Sequence, residues 1–329
     1  MNHYLKSMSA TEQVGAMFLI VFGCLAVAGV VIFMLSIREH PDGHVGDARR
    51  QLLSRADGVL RSSWAMAIVF WVGWLAGDTV STVLFALVSF FALREFITLS
   101  PTRRGDHRSL VLAFFVILPL QYVLVGTEHF DLFTVFIPVY VFLAIPVVSA
   151  LANDPQRFLE RNAKLQWGIM VCIYGMSHVP ALLLLDFPKY DSKNAFLVIF
   201  LVLVVQFCMV AQYFAARRWR RAPAAPAIST SFNWVSWWIG VAAGSLLGAL
   251  LAGVTPFSPG QAFVLSFVAC VAGSLGHLVM KAIKRDRGIP NWGLEGDAVT
   301  GTGGLLDRVD ALCFAAPVFF HSVRWYFQL

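Results

Sequence analysis

The sequence predicts an all-α fold, a polytopic transmembrane bundle of about ten spans, and three observations carry that prediction. First, only 13% of the 329 residues are charged while 58% are hydrophobic. A water-soluble domain carries about 25% charged residues. With half that share, 28 Phe and 10 Trp, the chain lacks the polar surface to wrap a soluble globule, so its excess apolar area must face lipid. Second, apolar runs of the length that crosses a bilayer, about 20 residues, recur along the chain. Third, basic residues crowd every second connection between those runs. The composition also excludes a disordered chain, a coiled coil and a disulfide scaffold.

In chain order, the first span covers 14–37. It is too long for the apolar core of a signal peptide, and its basic cluster follows rather than precedes it. The stretch 64–99 holds two short helices broken at Gly77-Asp78, with a re-entrant hairpin as the other way to fill that length. Spans at 109–126, 132–151, 165–185, 195–216, 234–254 and 262–281 follow, and a last segment runs from Asp307 through His321.

The connections 38–64, 94–108, 152–164, 217–232 and 281–308 hold 21 of the 25 Lys and Arg residues. The alternate connections hold only Lys189 and Lys193. Positive charge is retained on the cytoplasmic side, so ten spans with both ends outside satisfy the pattern. A bacterial-style inner (plasma) membrane is the expected location. The net charge of +6 suits an anionic inner leaflet. Its dispersal over many loops argues against a nucleic-acid partner. The five cysteines stand singly in apolar runs and read as buried small hydrophobes.

One composition break stands out. Arg217-Arg218-Trp219-Arg220-Arg221 is followed by a Pro/Ala run over 222–227 that cannot continue a helix. It divides N-terminal helices, 1–221, from C-terminal helices, 222–329.

Polar residues are costly in such a chain and mark candidate sites. Asp78 reads as a helix cap. His178, in Ser177-His178-Val179-Pro180, reads as satisfying a carbonyl that Pro180 frees one turn earlier. Arg94-Glu95, near Arg103, Arg104, Asp106 and Arg108, reads as a solvated helix end, and Glu128 with Asp131 as an ordinary outer loop.

The region from Ser274 to Asp310 is different. Ser274, His277, Lys281, Lys284 and Arg285 recur at helical spacing, so one face of that helix turns polar and cationic towards its end. A glycine-rich loop follows, then Leu306-Asp307-Arg308-Val309-Asp310 opens the last helix. Asp307 and Asp310 stand one turn apart at a helix N-terminus, where carboxylates are stabilised. Such a pair can hold Mg²⁺ and leave positions for phosphate oxygens. Opposed Lys and Arg would neutralise the phosphates, and a glycine loop lets backbone N–H groups approach them. The layout suggests phosphoryl or nucleotidyl transfer on a lipid headgroup. The same residues are also compatible with a basic loop and capping aspartates. Lys281 is a candidate ion-pair partner for Asp307.

These residues resemble a known signature. Ser274-Leu275-Gly276-x-Leu278, then Lys284-Arg285, then Gly303-Gly304-Leu305-Leu306-Asp307-Arg308-Val309-Asp310 resemble the phosphatidate cytidylyltransferases (CDP-diacylglycerol synthases), bacterial branch, where a Phe-Ala-Leu-Arg-Glu-Phe stretch like 91–96 also occurs. The resemblance implies an enzyme that joins phosphatidic acid and CTP to give CDP-diacylglycerol and pyrophosphate. Its implied catalytic residues are Asp307, Lys284, Arg285 and Arg308. Lys281, Gly303, Gly304, Ser274 and Thr302 would bind substrate. Asp307 and Asp310 would hold Mg²⁺ or another divalent cation, with His277, Asn291 and Asp297 as further metal candidates. The lipid would enter sideways at the cytoplasmic membrane edge, and a homodimer is an open assembly.

The chain departs from the signature at several points. His277 replaces an acidic residue and Lys281 a serine, a Lys-Asp pair falls on Pro290-Asn291, and Thr302 replaces a histidine. The loop between Gly293 and Gly301 is longer and carries Glu295 and Asp297. A diverged homologue with altered or lost activity, acting on another lipid phosphate or as a membrane partner of other enzymes, is the alternative within the family. A polytopic transporter is the alternative of another class.

Overall fold

Apolar runs of this length have no water to satisfy their backbone, so each closes its hydrogen bonds within itself. The computed structural model describes residues 10–37, 44–99, 102–187, 194–292 and 304–328, and among these it contains helices, turns and no β-strand. The helices are α1 (Ala10–Ile37), α2 (His44–Ala76), α3 (Asp78–Thr98), α4 (Arg104–Gly126), α5 (Phe130–Ala150), α6 (Phe158–Leu184), α7 (Ala195–Trp219), α8 (Trp234–Val254), α9 (Pro259–Arg287) and α10 (Leu306–Phe327). Nine of them, α1 to α9, are long and apolar enough to cross a membrane; α10, with 22 residues, is the tenth. At 1.5 Å per residue α10 is about 33 Å long.

The break expected at Gly77-Asp78 is present. Gly77 has φ +93°, a conformation that L side chains rarely adopt, and its carbonyl accepts the N–H of Ser81 to start α3. The two helices are not short. α2 runs for 33 residues because it begins at His44, well before the apolar stretch. The segment 44–63 carries four Arg, three Leu and three Ser, and an Asp57–Arg61 pair at 2.5 Å supports it one turn apart. A polar helix therefore emerges from the apolar one without a break.

α4, α5 and α6 each contain a wide π turn, at Ala113–Ile117, Phe136–Val141 and Ile169–Gly175. Prolines 119, 138 and 180 lie in or just after these turns, where a helix tolerates the missing N–H. Beyond the third turn, the Tyr174 carbonyl accepts from both Ser177 Oγ, at 2.9 Å, and His178 Nδ1, at 2.7 Å. His178 thus serves a backbone carbonyl, but that of Tyr174, six residues before Pro180, and not the one a single turn before the proline.

α10 is central, packed against α9, α6, α7 and α3, while α7, α8 and α9 pack side by side and α1 and α2 lie at the periphery. One close approach brings the two most C-terminal helices together. A Cβ on Gly276 of α9 would collide with the Phe314 ring of α10, so glycine there lets them meet face to face. The ends of α3, α7 and α9 and the start of α10 consequently lie at the same, basic end of the bundle.

At that end the loops 102–106 and 152–157 are fastened by one buried arginine. Arg161 Nε donates to Asp106 at 2.7 Å, and its Nη1 lies 2.9 Å from Asp154 and 2.7 Å from the Gln156 carbonyl. Asp106, expected in a solvated cluster, is instead buried. At the other end, exposed Asp131 pairs with Arg324 at 2.7 Å.

Candidate functional site

α9 outruns the hydrocarbon core of a bilayer: its 29 residues extend about 43 Å, and its last turns carry Lys281, Lys284 and Arg285. It stops at Gly288, and Ile289 N–H returns to the Lys284 carbonyl at 3.1 Å. The chain then turns so that Trp292 is buried against Phe96 of α3, their rings 5.4 Å apart and stacked at 25°.

Asp307, in the first turn of α10, is fixed from two sides. Lys284 Nζ donates to its Oδ1 at 2.5 Å and the Trp292 N–H to its Oδ2 at 2.7 Å. Both side chains of the ion pair are mostly withdrawn from solvent, 11% exposed for Lys284 and 14% for Asp307. The partner of Asp307 is therefore Lys284 and not Lys281. Burial of this kind makes each charge depend on the other, since removing one strands its partner in a poorly solvated site.

Glu95 completes this corner. Its carboxylate accepts from Leu305 N–H and Leu306 N–H, both at 2.8 Å, and so satisfies two of the orphan donors at the start of α10. The sequence pattern places Glu95 on a solvated helix end; the structure makes it the cap of the site helix. The only signal in the sequence is its place within Phe91–Phe96, since hydrophobic periodicity carries no information about a partner 210 positions away. Gly304 sits between, donating to the Trp292 carbonyl at 2.5 Å, and a Cβ there would press on that carbonyl and on Glu95.

One turn further along α10, Asp310 accepts from His277 Nδ1 at 2.7 Å and from Ala311 N–H at 2.6 Å, with only 4% of its side chain exposed. Because Asp310 is the acceptor, His277 carries its proton on Nδ1, which leaves Nε2 as the nitrogen open to another group. His277, Ser274, Leu278 and Lys281 form one wall of a cleft of about 210 Å³, and Met209, Gln212, Tyr213, Ala216, Ser231 and Phe232 the other. The hydroxyl of Ser274 is committed to packing: it donates to the Cys270 carbonyl and accepts from Trp237 Nε1 at 2.8 Å.

The remaining expected residues divide. Arg285 and Asn291 are exposed at the edge of the site. Arg308 is half-buried, and its Nε is buried with no hydrogen-bond partner among the described residues. Asp297, Thr302 and Gly303 lie outside the described residues, as does Glu295.

Among the described residues no group of three or more His, Cys, Asp or Glu side chains converges as a metal site. Asp310 has one protein donor on each oxygen, as Asp307 does, but only 4% of its side chain is exposed against 14% for Asp307. Asp307 has one protein donor on each oxygen and retains a lone pair on each. That suits a Mg²⁺ ion held chiefly by water and substrate phosphates, with one carboxylate from the protein.

The chain resembles known proteins over most of its length. The cytidylyltransferase family model matches residues 59–326. The chain is 33% identical over 270 residues to the uncharacterized protein YnbB of Escherichia coli (strain K12), covering 81% of this chain and 86% of that protein. It is 32% identical over 174 residues to the phosphatidate cytidylyltransferase of Mycobacterium leprae (strain TN), 52% of each chain. With the phosphatidate cytidylyltransferase of Brucella suis biovar 1 (strain 1330) the identity is 33% over 125 residues, 37% of this chain and 45% of that enzyme. The chain thus spans about half the length of these two relatives that bear an enzyme name.

Proposed function

The chain belongs to the cytidylyltransferase family, and on that premise we propose that it transfers the cytidylyl group of CTP to phosphatidic acid, releasing pyrophosphate and forming CDP-diacylglycerol. One observation carries this reading: the Lys284–Asp307 pair, which joins the cationic end of α9 to the start of α10. It assembles, from two separate parts of the chain, charges of both signs at one point of the basic end. The positive-inside pattern supports placing that end on the cytoplasmic side of a plasma membrane, where CTP is available.

In the proposed reaction a phosphatidate oxygen forms a bond to the α-phosphorus of CTP, and the bond from that phosphorus to the bridging oxygen of the leaving pyrophosphate breaks. Lys284 uses one of its three N–H donors on Asp307 and keeps two for phosphate oxygens. Arg308, with its Nε unpaired among the described residues, and exposed Arg285 neutralise the charge that collects on pyrophosphate. Trp292 and Glu95 hold Asp307 and its helix in register, so the charges are positioned before substrate arrives. Asp307 would hold Mg²⁺ carried on the nucleotide, which when bound neutralises phosphate charge.

A second reading within the family has its own support. His277 stands where the signature has an acidic residue and occupies one oxygen of Asp310, which favours a member with a different lipid phosphate or nucleotide.

Purified protein given CTP, phosphatidic acid and Mg²⁺ is expected to release pyrophosphate and to stop when the metal is chelated. Release with another nucleotide or lipid phosphate, and not with this pair, would select the second reading. No release with any combination or divalent metal would remove the enzyme reading.

A further inference from the structure

We propose that the pocket at the start of α4, lined by Thr102, Arg103, Arg104, His107 and Leu110, holds the headgroup of an anionic phospholipid whose phosphate is a diester. The site stands apart from the transfer chemistry. Its lining shares no residue with the cleft beside His277 or with the Lys284–Asp307 corner.

Charge selects the ligand. The carboxylates of this surface are already committed elsewhere. Asp106 Oδ1 accepts from Arg161 Nε at 2.7 Å, and its Oδ2 accepts from the Arg103 backbone N–H at 2.8 Å. Asp154 lies 2.9 Å from Arg161 Nη1. The buried guanidinium therefore takes both acids, and none of the five lining residues is acidic. Arg103 is partly committed as well: its Nη1 donates to Gln156 at 2.6 Å and stands 4.0 Å from Asp154. Arg104 and His107 are exposed and form no ion pair among the described residues. The charge left unbalanced in the pocket is thus chiefly that of Arg104, with His107 and the Thr102 hydroxyl as hydrogen-bond donors. A phosphodiester brings one negative charge to match it, whereas a phosphomonoester approaches two. A guanidinium also meets two phosphate oxygens at once.

The apolar surroundings select a lipid over a free anion. Val111 and Phe115 follow His107 at four-residue steps, on the same face of α4, and both are exposed. Val116, Leu120 and Val123 continue the exposed apolar surface along the helix. A headgroup in the pocket therefore has a track beside it for its acyl chains. A space of about 400 Å³ equals the liquid volume of about 13 waters, room for a phosphate and a small polar alcohol. Basic pockets at the cytoplasmic level take anionic headgroups in this way, and the alternation of charge supports placing this end there.

The test reads lipid retention and does not require turnover. The full chain in detergent is titrated with phosphatidylglycerol, phosphatidylcholine or phosphatidic acid of equal chain length, and bound lipids are counted by native mass spectrometry. Phosphatidylglycerol is expected to bind more tightly than phosphatidylcholine and to raise the melting temperature. Arg104→Gln should weaken its retention about tenfold or more, the scale of a lost charged hydrogen bond, and remove that rise; His107→Leu should do so less. Arg104→Lys, which keeps the charge without the fork, should restore part of it. Arg221→Gln, exposed at the same end but outside the pocket, should match the parent. Melting curves without lipid establish that each variant is folded. Equal retention of phosphatidylglycerol by the parent, Arg104→Gln and His107→Leu would overturn the proposal. So would Arg104-dependent retention of phosphatidic acid tighter than that of phosphatidylglycerol, which would make this a monoester site. Displacement by inorganic phosphate at the concentration of the lipid would remove the lipid from it. A KM for CTP raised by Arg104→Gln with lipid retention intact would assign the pocket to the nucleotide. Arg104-dependent retention in protein that releases no pyrophosphate would support the proposal, because nothing in it rests on the transfer reaction.

Discussion

The carboxylate of Glu95 accepts the backbone N–H of Leu306 at 2.8 Å across 211 positions of sequence. A side chain from the end of α3 thus performs the capping that a local Ser, Thr or Asp performs in most helices. The start of α10, and with it Asp307, is oriented by a helix from the opposite half of the chain.

Replacing Glu95 by Ala leaves two N–H donors unpaired in a part-buried corner, at a cost of about 1–3 kcal/mol for each one left unsatisfied. The melting temperature in detergent should fall, and kcat should fall with it as Asp307 loses register. Gln at this position offers one strong acceptor oxygen and no charge, so Glu95→Gln should lie between Ala and the parent. A Glu95→Ala protein with parental stability and rate would show the cap to be incidental.

The Lys284–Asp307 pair predicts strong coupling. Asp307→Asn and Lys284→Met should each abolish or nearly abolish pyrophosphate release. In stability, each single variant strands a charge and should cost about 3–5 kcal/mol, whereas the double variant should recover part of that loss. Additive losses in the melting measurements would mean that the two side chains do not depend on one another.

Gly276 predicts a steric effect on the same site. Gly276→Ala places a methyl against the Phe314 ring, and overpacking of this kind costs about 1–3 kcal/mol. It should separate α9 from α10 and slow turnover with little change in substrate KM. Phe314→Leu in the same chain should restore part of the rate; failure of that rescue would detach Gly276 from the helix contact.

Arg161 predicts a loss of stability away from the chemistry. Arg161→Met removes the partner of buried Asp106 and should destabilise by about 3–5 kcal/mol, with KM values for CTP and lipid unchanged in the folded fraction. Joint replacement with Asp106→Asn should return some of that stability. A substrate KM that moved with Arg161→Met would place this cluster closer to the site than the fold does.

The spans are legible in the sequence because hydrophobicity accumulates residue by residue: the apolar run 234–254 has the same ends as α8, and most others agree with their helices to within a few residues. The long α2 is not legible, because hydropathy reports apolar length and is blind to a polar helix that continues beyond it. The signature residues from Ser274 to Asp310 are legible as a face and a helix start. Their pairing is not, since Lys281 and Lys284 share that face and spacing alone does not rank them.

The sequence by itself determined the class of fold, the alternation of charge between its ends and the family to which its C-terminal motifs point, because each is written in local composition or in a contiguous pattern. The packing of the helices decided that Asp307 takes Lys284, that Asp310 takes His277, that Glu95 caps α10, and that Gln212 and Lys281 line one cleft. Those outcomes depend on how far α9 is rotated against α10 and how closely they approach. That is fixed by packing between helices, at contacts such as Gly276 on Phe314, and no period within one helix encodes it.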